Sequence, residues 1–193
     1  MSVRVRMASP DDAGGIADVY LPYVRDTAIS FEAVPPAADE MRSRLAATLP
    51  RLPWLVVTDD ESVKGFAYAS PHRARDAYRW SADVSLYLDA SVHRQGHGRR
   101  LYTALFNLLG AQGYINAYAA IALPNPASVG LHEALGFTRI GVFPGVGFKN
   151  GTWWDVGWWH RRLAERPAQP ERPRPWSELP LEVLNSALES NTG

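Results

Sequence analysis

The chain has 193 residues, 46% of them hydrophobic and 21% charged, a composition ordinary for a soluble globular protein long enough to bury a proper core. Twenty Lys and Arg balance twenty Asp and Glu, so no global field gathers nucleic acid or acidic lipid, and any anion must be held by a local site. The absence of cysteine excludes disulfides, thiolate metal sites and an acyl-cysteine intermediate.

The opening MSVRVRMASPDD has no apolar core of signal-peptide length, and the longest mostly apolar run, INAYAAIALP, is too short to cross a bilayer. Both features predict a cytoplasmic protein without a membrane partner. Val3 to Met7 alternates apolar and polar residues, which predicts a first strand. Ser9-Pro10-Asp11-Asp12 reads as a helix start, with Ser9 as cap, proline in the first turn and acids at the positive end. Ile16, Val19 and Tyr20 carry that helix on. Residues 37–49, AADEMRSRLAATL, form a second, more polar helix stopped by Pro50 and Pro53.

WLVVTDDESVKGFAYAS is two apolar runs around an acidic turn, a hairpin pattern, and the arginine-rich and aromatic PHRARDAYRW follows as a loop. The strand DVSLYLD (83–89) runs into HRQGHGRRLYTALFNLLGAQG (93–113), a glycine-spaced basic loop followed by a helix with Leu101, Leu105, Leu108 and Leu109 on one face. NAYAAIAL is a buried strand, and PASVGLHEAL is a short helix closed by Gly136. TRIGVFPGVGFKNGTWWDVGWW holds two strands around Asn150-Gly151, a hairpin signal. The sequon at Asn150-Gly151-Thr152 therefore reads as a turn. Beyond Leu163 the composition turns proline-rich and charged, AERPAQPERPRPWSELP, which predicts a segment unable to pack alone. LEVLNSALES follows as a short terminal helix. The chain divides into a domain over 1–163 and a flexible tail over 164–193.

Three chemistries compete for the glycine loop. A P-loop needs Gly-x-x-x-x-Gly-Lys-Ser/Thr, and the stretch has no lysine. A dinucleotide fingerprint needs a third glycine where Leu101 stands, and belongs near the start of its domain. The third is a single strand-to-helix turn in which Gly96 and Gly98 let backbone N–H groups approach a pyrophosphate, with His93, Arg94, Arg99 and Arg100 adding charge. A solvated basic helix start is the bland alternative. His93 and His97 lie four apart, but without a third ligand they predict no metal site.

The segment His93-Arg94-Gln95-Gly96-His97-Gly98 resembles the coenzyme A pyrophosphate loop of the GCN5-related N-acetyltransferases, the GNAT superfamily, with histidine at the first position in place of the usual glutamine or arginine. Further on, Asn125, Ser128, His132, Gly136 and Phe137 resemble that superfamily's second motif, with His132 where a tyrosine is usual. AYASPHRARDAYRWSAD, ALPNPASVGLHEALGF and GVGFKNGTWWDVGWW are similar to the phosphinothricin N-acetyltransferase subfamily, over roughly residues 3–161. The resemblance implies an α/β GNAT fold: a mixed, mostly antiparallel sheet flanked by helices, ending in a C-terminal β-hairpin. It implies acetyl transfer from acetyl-CoA to the primary amine of a small amino acid, best phosphinothricin or methionine sulfoximine, in a homodimer.

Residue by residue, the resemblance implies that Asp83 stands where a glutamate is the proposed base. One methylene shorter, Asp83 would act directly or through water. It implies that the backbone at Leu86, Tyr87 and Leu88 binds the pantetheine arm and polarises the thioester carbonyl, and that Arg94, Gln95, Gly96, His97, Gly98 and Arg99 hold the pyrophosphate. His132 is then the acid toward the thiolate, and Asn125 and Ser128 complete the cofactor site. Arg73 or Arg75 suits a carboxylate bidentately, with Tyr78 and Trp80 as pocket walls and Val146, Phe148 or Lys149 of the hairpin opposite. Most of the tryptophans read as core or dimer contacts, and Asp155 as a structural hydrogen-bonding residue. The rival functions are acetylation of another amine, such as a polyamine or a peptide N-terminus, and a non-catalytic acyl-CoA sensor. Pro170-Glu-Arg-Pro173 fits a Pro-x-x-Pro docking spacing.

Overall fold

The alternating pattern folds into one seven-stranded sheet, in a computed structural model that describes residues 3–60 and 62–189. The strands are β1 (Val3–Met7), β2 (Trp54–Asp59), β3 (Ser62–Pro71), β4 (Ser81–Leu88), β5 (Asn116–Leu123), β6 (Thr138–Lys149) and β7 (Thr152–Arg162). They lie in the order β1-β2-β3-β4-β5-β7-β6, and every neighbouring pair is antiparallel except β4–β5. This is the mixed sheet with a C-terminal hairpin that the sequence predicts. The helices are α1 (Ala13–Asp26), α2 (Ala38–Thr48), α3 (His97–Gln112), α4 (Pro126–Ala134) and α5 (Leu181–Glu189). Among the described residues no helix is long and apolar enough to cross a membrane.

The period-2 alternation of the strands sorts the core into two layers. On one face Ala82 and Val84 of β4 and Ala117, Ala119 and Ile121 of β5 meet the leucine stripe of α3, Leu101, Leu105, Leu108 and Leu109, all fully buried. On the other, Ile16, Val19 and Tyr20 of α1 and Met41 and Leu45 of α2 cover Trp54, Val56 and Phe66. The entry to α1 is tighter than a simple cap. Pro10–Asp12 makes a short 3-10 turn, and the Asp12 carboxylate accepts from the Ser9 N–H at 2.8 Å and bidentately from Arg6 at 2.7 Å. Burial alone would raise the Asp12 pKa, but Arg6 and the Ser9 N–H outweigh it and hold the carboxyl below its ordinary range.

Asn150 and Gly151 both take positive φ, 52° and 74°, the geometry that lets a two-residue turn follow the twist of β6 and β7. Asp155 accepts from the Gly145 N–H at 2.7 Å and pins the irregular part of β6, the structural role expected of it. Trp159 is a core residue, whereas Trp153 stays 67% exposed.

The chain beyond Leu163 finds the surface it cannot supply for itself. It lies along α3: Arg174 exchanges backbone and side-chain bonds with Gln112 at 2.9 and 2.8 Å, and the Trp176 indole donates to Leu49 O at 2.5 Å. Leu179 and Ala187 are buried in the same core as the α3 leucines, with Trp176, Leu184 and Leu188 packed around them.

Candidate active site

Parallel pairing between β4 and β5 runs over only three positions, Ser81↔Asn116, Ala82↔Ala117 and Asp83↔Tyr118. Beyond them β4 continues to Leu88 and β5 to Leu123, so the sheet opens as a V with Asp83 at its apex. Strand alternation decides which backbone groups face the gap. The Trp80 carbonyl accepts from Asn116 on the β5 side, while the Asp89 N–H donates to Lys64 on the β3 side. Even-numbered positions therefore turn their N–H and C=O groups toward β5, and those of Val84, Leu86 and Leu88 enter the V without a strand partner. Tyr23 takes the Leu88 carbonyl at 2.6 Å. Residues 84–87 and 119–122 line the cleft together with Ile29, Tyr102, Asn125, Ser128 and His132. The odd position Tyr87 sends its side chain into the α1–α2 layer and turns its N–H and C=O toward β3, so it borders the cleft only as main chain between Leu86 and Leu88.

At the open end of the V the chain turns into α3. Arg94 and Gly96 both have positive φ, 60° and 85°, and Arg100 N–H closes on Gly96 O at 3.1 Å. The N–H groups of His97, Gly98 and Arg99, in the first helical turn, have no intrahelical carbonyl to meet and point outward at the helix's positive end. Only glycine takes the Gly96 conformation without strain. Gly98 packs closely, since a methyl there would lie 3.2 Å from Leu131 Cδ2 and the leucine would have to give by a few tenths of an ångström. Arg94 and Arg99 are exposed beside this cradle, and the Gln95 amide bonds Ser91 O at 3.0 Å. His97 lends only its N–H: its ring is buried with Nδ1 unpartnered, and burial together with Arg100 lowers its pKa. His93 remains exposed, its Nε2 at 3.2 Å from Leu88 O and 3.3 Å from the Tyr23 hydroxyl.

The apex holds a pairing that the sequence alone did not single out. Asp83 Oδ1 lies 2.6 Å from His72 Nδ1. Burial raises the Asp83 pKa, and the opposing pull of His72 and Arg73 does not cancel it. The antiparallel register Ser70↔Asp83 brings His72 there, a relation across β3 and β4 rather than a local motif. The imidazole stacks on Tyr118 at 4.4 Å and meets Tyr78 and Trp158 edge-on at 6.0 Å each. Arg73 lies over the Trp158 ring at 5.8 Å, and Arg75 and Tyr78 are exposed on the same loop.

Two expected wall residues are engaged elsewhere. The Trp80 indole donates to Glu171 O in the tail at 2.7 Å and carries the Arg79 guanidinium on its face. Lys149 donates to Val24 O and Ser30 O, 2.6 Å each, and clamps the α1–α2 connection with a pKa lowered by burial. Val146 is exposed on β6, and neighbouring Gly147 abuts the Phe31 ring of that same connection.

His132 is buried on the cleft wall. Its Nδ1–H donates to Ser128 O at 2.7 Å, since a carbonyl only accepts. Burial lowers its pKa, so the ring is neutral and its Nε2 accepts from the Tyr102 hydroxyl at 3.1 Å. In this arrangement the imidazole has no proton facing the cleft; an acid role requires it to gain one and the Tyr102 hydroxyl to turn. Asn125 caps α4 by accepting from the Ser128 N–H at 3.1 Å.

Residues 5–158 match the family described as "Acetyltransferase (GNAT) domain". A phosphinothricin N-acetyltransferase of Streptomyces viridochromogenes is 38% identical over 177 residues, covering 92% of this chain and 96% of that one. An L-methionine sulfoximine/L-methionine sulfone acetyltransferase of Salmonella typhimurium is 30% identical, covering 86% and 98%. Among solved structures, a phosphinothricin acetyltransferase from Sinorhizobium meliloti in complex with acetyl-CoA superposes with a TM-score of 0.84 at 33% identity, covering 89% of this chain and 94% of that one.

Proposed function

The chain belongs to the GNAT acetyltransferase family, and on that basis we propose that it moves the acetyl group of acetyl-CoA directly to the amino group of a small amino acid. The observation that carries this reading is the V between β4 and β5, with an anion cradle at its mouth and a carboxylate at its apex. The pyrophosphate rests on the N–H groups of residues 97–99, with Arg94 and Arg99 beside it and Gln95 holding the loop. Pantetheine runs along Leu86, Tyr87 and Leu88 as a pseudo-strand, its amides meeting the unpaired backbone of β4 and the Asn125–Ser128 end of α4. A β4 N–H in the V polarises the thioester carbonyl as charge develops on its oxygen.

Asp83 supplies the negative charge that drives loss of the amine proton, and its raised pKa makes it a stronger base than a solvated carboxylate. Tyr102 and His132, hydrogen-bonded on the opposite wall, serve the departing sulfur as a pair. Phosphinothricin or methionine sulfoximine is the substrate, a reading supported by the named activities of the relatives and by the arginines of the 72–80 loop. Arg73 or Arg75 binds the substrate carboxylate, Tyr78 walls the pocket, and Val146 closes it from the hairpin. The catalytic machinery lies within 1–163, and the described part of the tail, 164–189, braces α3. The protein works in the cytoplasm as a homodimer, for which the exposed Phe148 and Trp153 of the β6–β7 hairpin, their rings 5.1 Å apart, provide an apolar face. Sedimentation at twice 21.4 kDa is the expected result, and a monomer at micromolar concentration would refute the dimer.

The carboxylate contact is tested with Arg73→Ala and Arg75→Ala. One of them raises the KM for phosphinothricin at least about tenfold with the KM for acetyl-CoA unchanged, the loss of about one charge-assisted hydrogen bond. Unchanged amino-acid KM in both variants would place the carboxylate elsewhere.

A further inference from the structure

Resting on the acetyl-transfer reading, we propose that His72 is a catalytic residue, with Nε2 as the atom that takes the amine proton and Asp83 as the carboxylate that orients and balances it. The bond at the apex fixes the chemistry of the ring. Asp83 Oδ1 accepts from His72 Nδ1–H at 2.6 Å, which leaves Nε2 of the neutral imidazole as a lone-pair acceptor. Nε2 makes no hydrogen bond among the described residues, and the ring is held by packing. Tyr118 lies flat against it at 4.4 Å, and the edges of Tyr78 and Trp158 close two further sides. An imidazole this constrained presents one unoccupied polar atom, in a ring whose side chain is only 13% exposed.

Position argues the same way. Tyr118 is the register partner of Asp83 in the last pair before β4 and β5 separate, so the stacked imidazole sits where the V begins. Arg73 follows His72 directly and lies over Trp158 at 5.8 Å, close enough for its charge to act on Asp83. An α-amino acid carries its amine and carboxylate on the same carbon, and Arg73 and the His72 ring both lie against Trp158, so a carboxylate held at Arg73 keeps the amine on the side of the imidazole. The charged and titratable groups facing His72 are Asp83 from β4, Arg73 and Tyr78 from its own loop, and Tyr118 from β5.

The step balances as follows. The substrate ammonium gives one proton to Nε2, forming imidazolium beside the Asp83 carboxylate. The freed nitrogen lone pair bonds to the acetyl carbonyl carbon. The C–S bond then breaks, its electron pair leaves on the sulfur, and the second nitrogen proton lost from the adduct balances the one that the sulfur takes up. The imidazolium returns its proton to water.

The experiment compares wild type, His72→Gln and His72→Ala in acetyl-CoA thiol release with phosphinothricin, across pH and with added imidazole. The expected result is a kcat at least about 10²-fold lower in both variants with the KM for acetyl-CoA unchanged, the size of a lost general base. The acid limb of kcat/KM shifts to lower pH in His72→Gln, where Asp83 alone remains, and imidazole restores part of the His72→Ala rate. Acetyl-CoA binding by both variants establishes that they are folded. A kcat within about threefold of wild type would overturn the proposal. So would a loss that imidazole does not rescue and that leaves the acid limb in place, which marks His72 as only positioning Asp83. Failure of the wild type itself to release thiol would instead refute the acetyl-transfer reading.

Discussion

Replacing Asp83 by alanine is expected to lower kcat for acetyl transfer by about 10²- to 10⁴-fold and to leave acetyl-CoA affinity within about threefold of wild type, the range a positioned proton acceptor contributes. The separation of the two effects follows from the geometry. In the proposed site the cofactor is held by backbone N–H groups of β4 and of residues 97–99, toward the open end of the V, whereas Asp83 stands at its closed end. Its carboxylate is half-buried, paired with His72 at 2.6 Å, and raised in pKa by burial. Removing it takes away the charge that stabilises a proton arriving at the apex and touches nothing that binds pyrophosphate. Stopped-flow thiol release and equilibrium titration with acetyl-CoA measure the two quantities separately. A variant with kcat within about tenfold of wild type would mean that proton removal does not depend on the Asp83 carboxylate.

Ending the chain after Leu163 is expected to lower the melting temperature by about 6–12 °C, from a loss of about 3 kcal/mol or more in a protein of this size. The 164–189 segment contributes Leu179 and Ala187 to the main core and covers it further with Trp176, Leu184 and Leu188. It also satisfies buried polar groups. The fully buried Gln112 side chain donates to Arg51 O and Arg174 O at 2.8 Å each, and truncation leaves it with one of the two. The Leu49 carbonyl loses the Trp176 indole in the same cut. Because α3 begins at the proposed pyrophosphate cradle, loosening its outer face is expected also to weaken acetyl-CoA binding. Thermal unfolding followed by circular dichroism checks the first effect; a drop below about 2 °C would show that the tail contacts contribute little.

Much of the fold was written in local patterns. The alternation over 3–7, the leucine stripe from Leu101 to Leu109 and the Asn150-Gly151 turn each depend on neighbours in sequence, and each occurs as the residues predict. The glycine loop was legible for the same reason, since a positive φ at Gly96 is a demand on a single residue. What stayed hidden depends on register and docking. His72 reaches Asp83 only because β3 and β4 pair Ser70 with Asp83, and no spacing rule within one strand contains that fact. A lysine in a hairpin looks available to a substrate, yet Lys149 meets the carbonyls of Val24 in the last turn of α1 and of Ser30 in the connection beyond it. Trp80 looks like a pocket wall until Glu171 arrives from the tail to accept its indole proton. His132 was identifiable by position, but its tautomer follows from Ser128 O and the Tyr102 hydroxyl, partners visible only in three dimensions.

The most direct test is free-CoA release from acetyl-CoA by the wild-type protein, measured against phosphinothricin, methionine sulfoximine, other amino acids, polyamines and a peptide with a free N-terminus. Saturable release with phosphinothricin or methionine sulfoximine, and none above background with polyamines, is the predicted result. Release confined to polyamines or peptide N-termini, or no release with any amine while acetyl-CoA still binds, would contradict it.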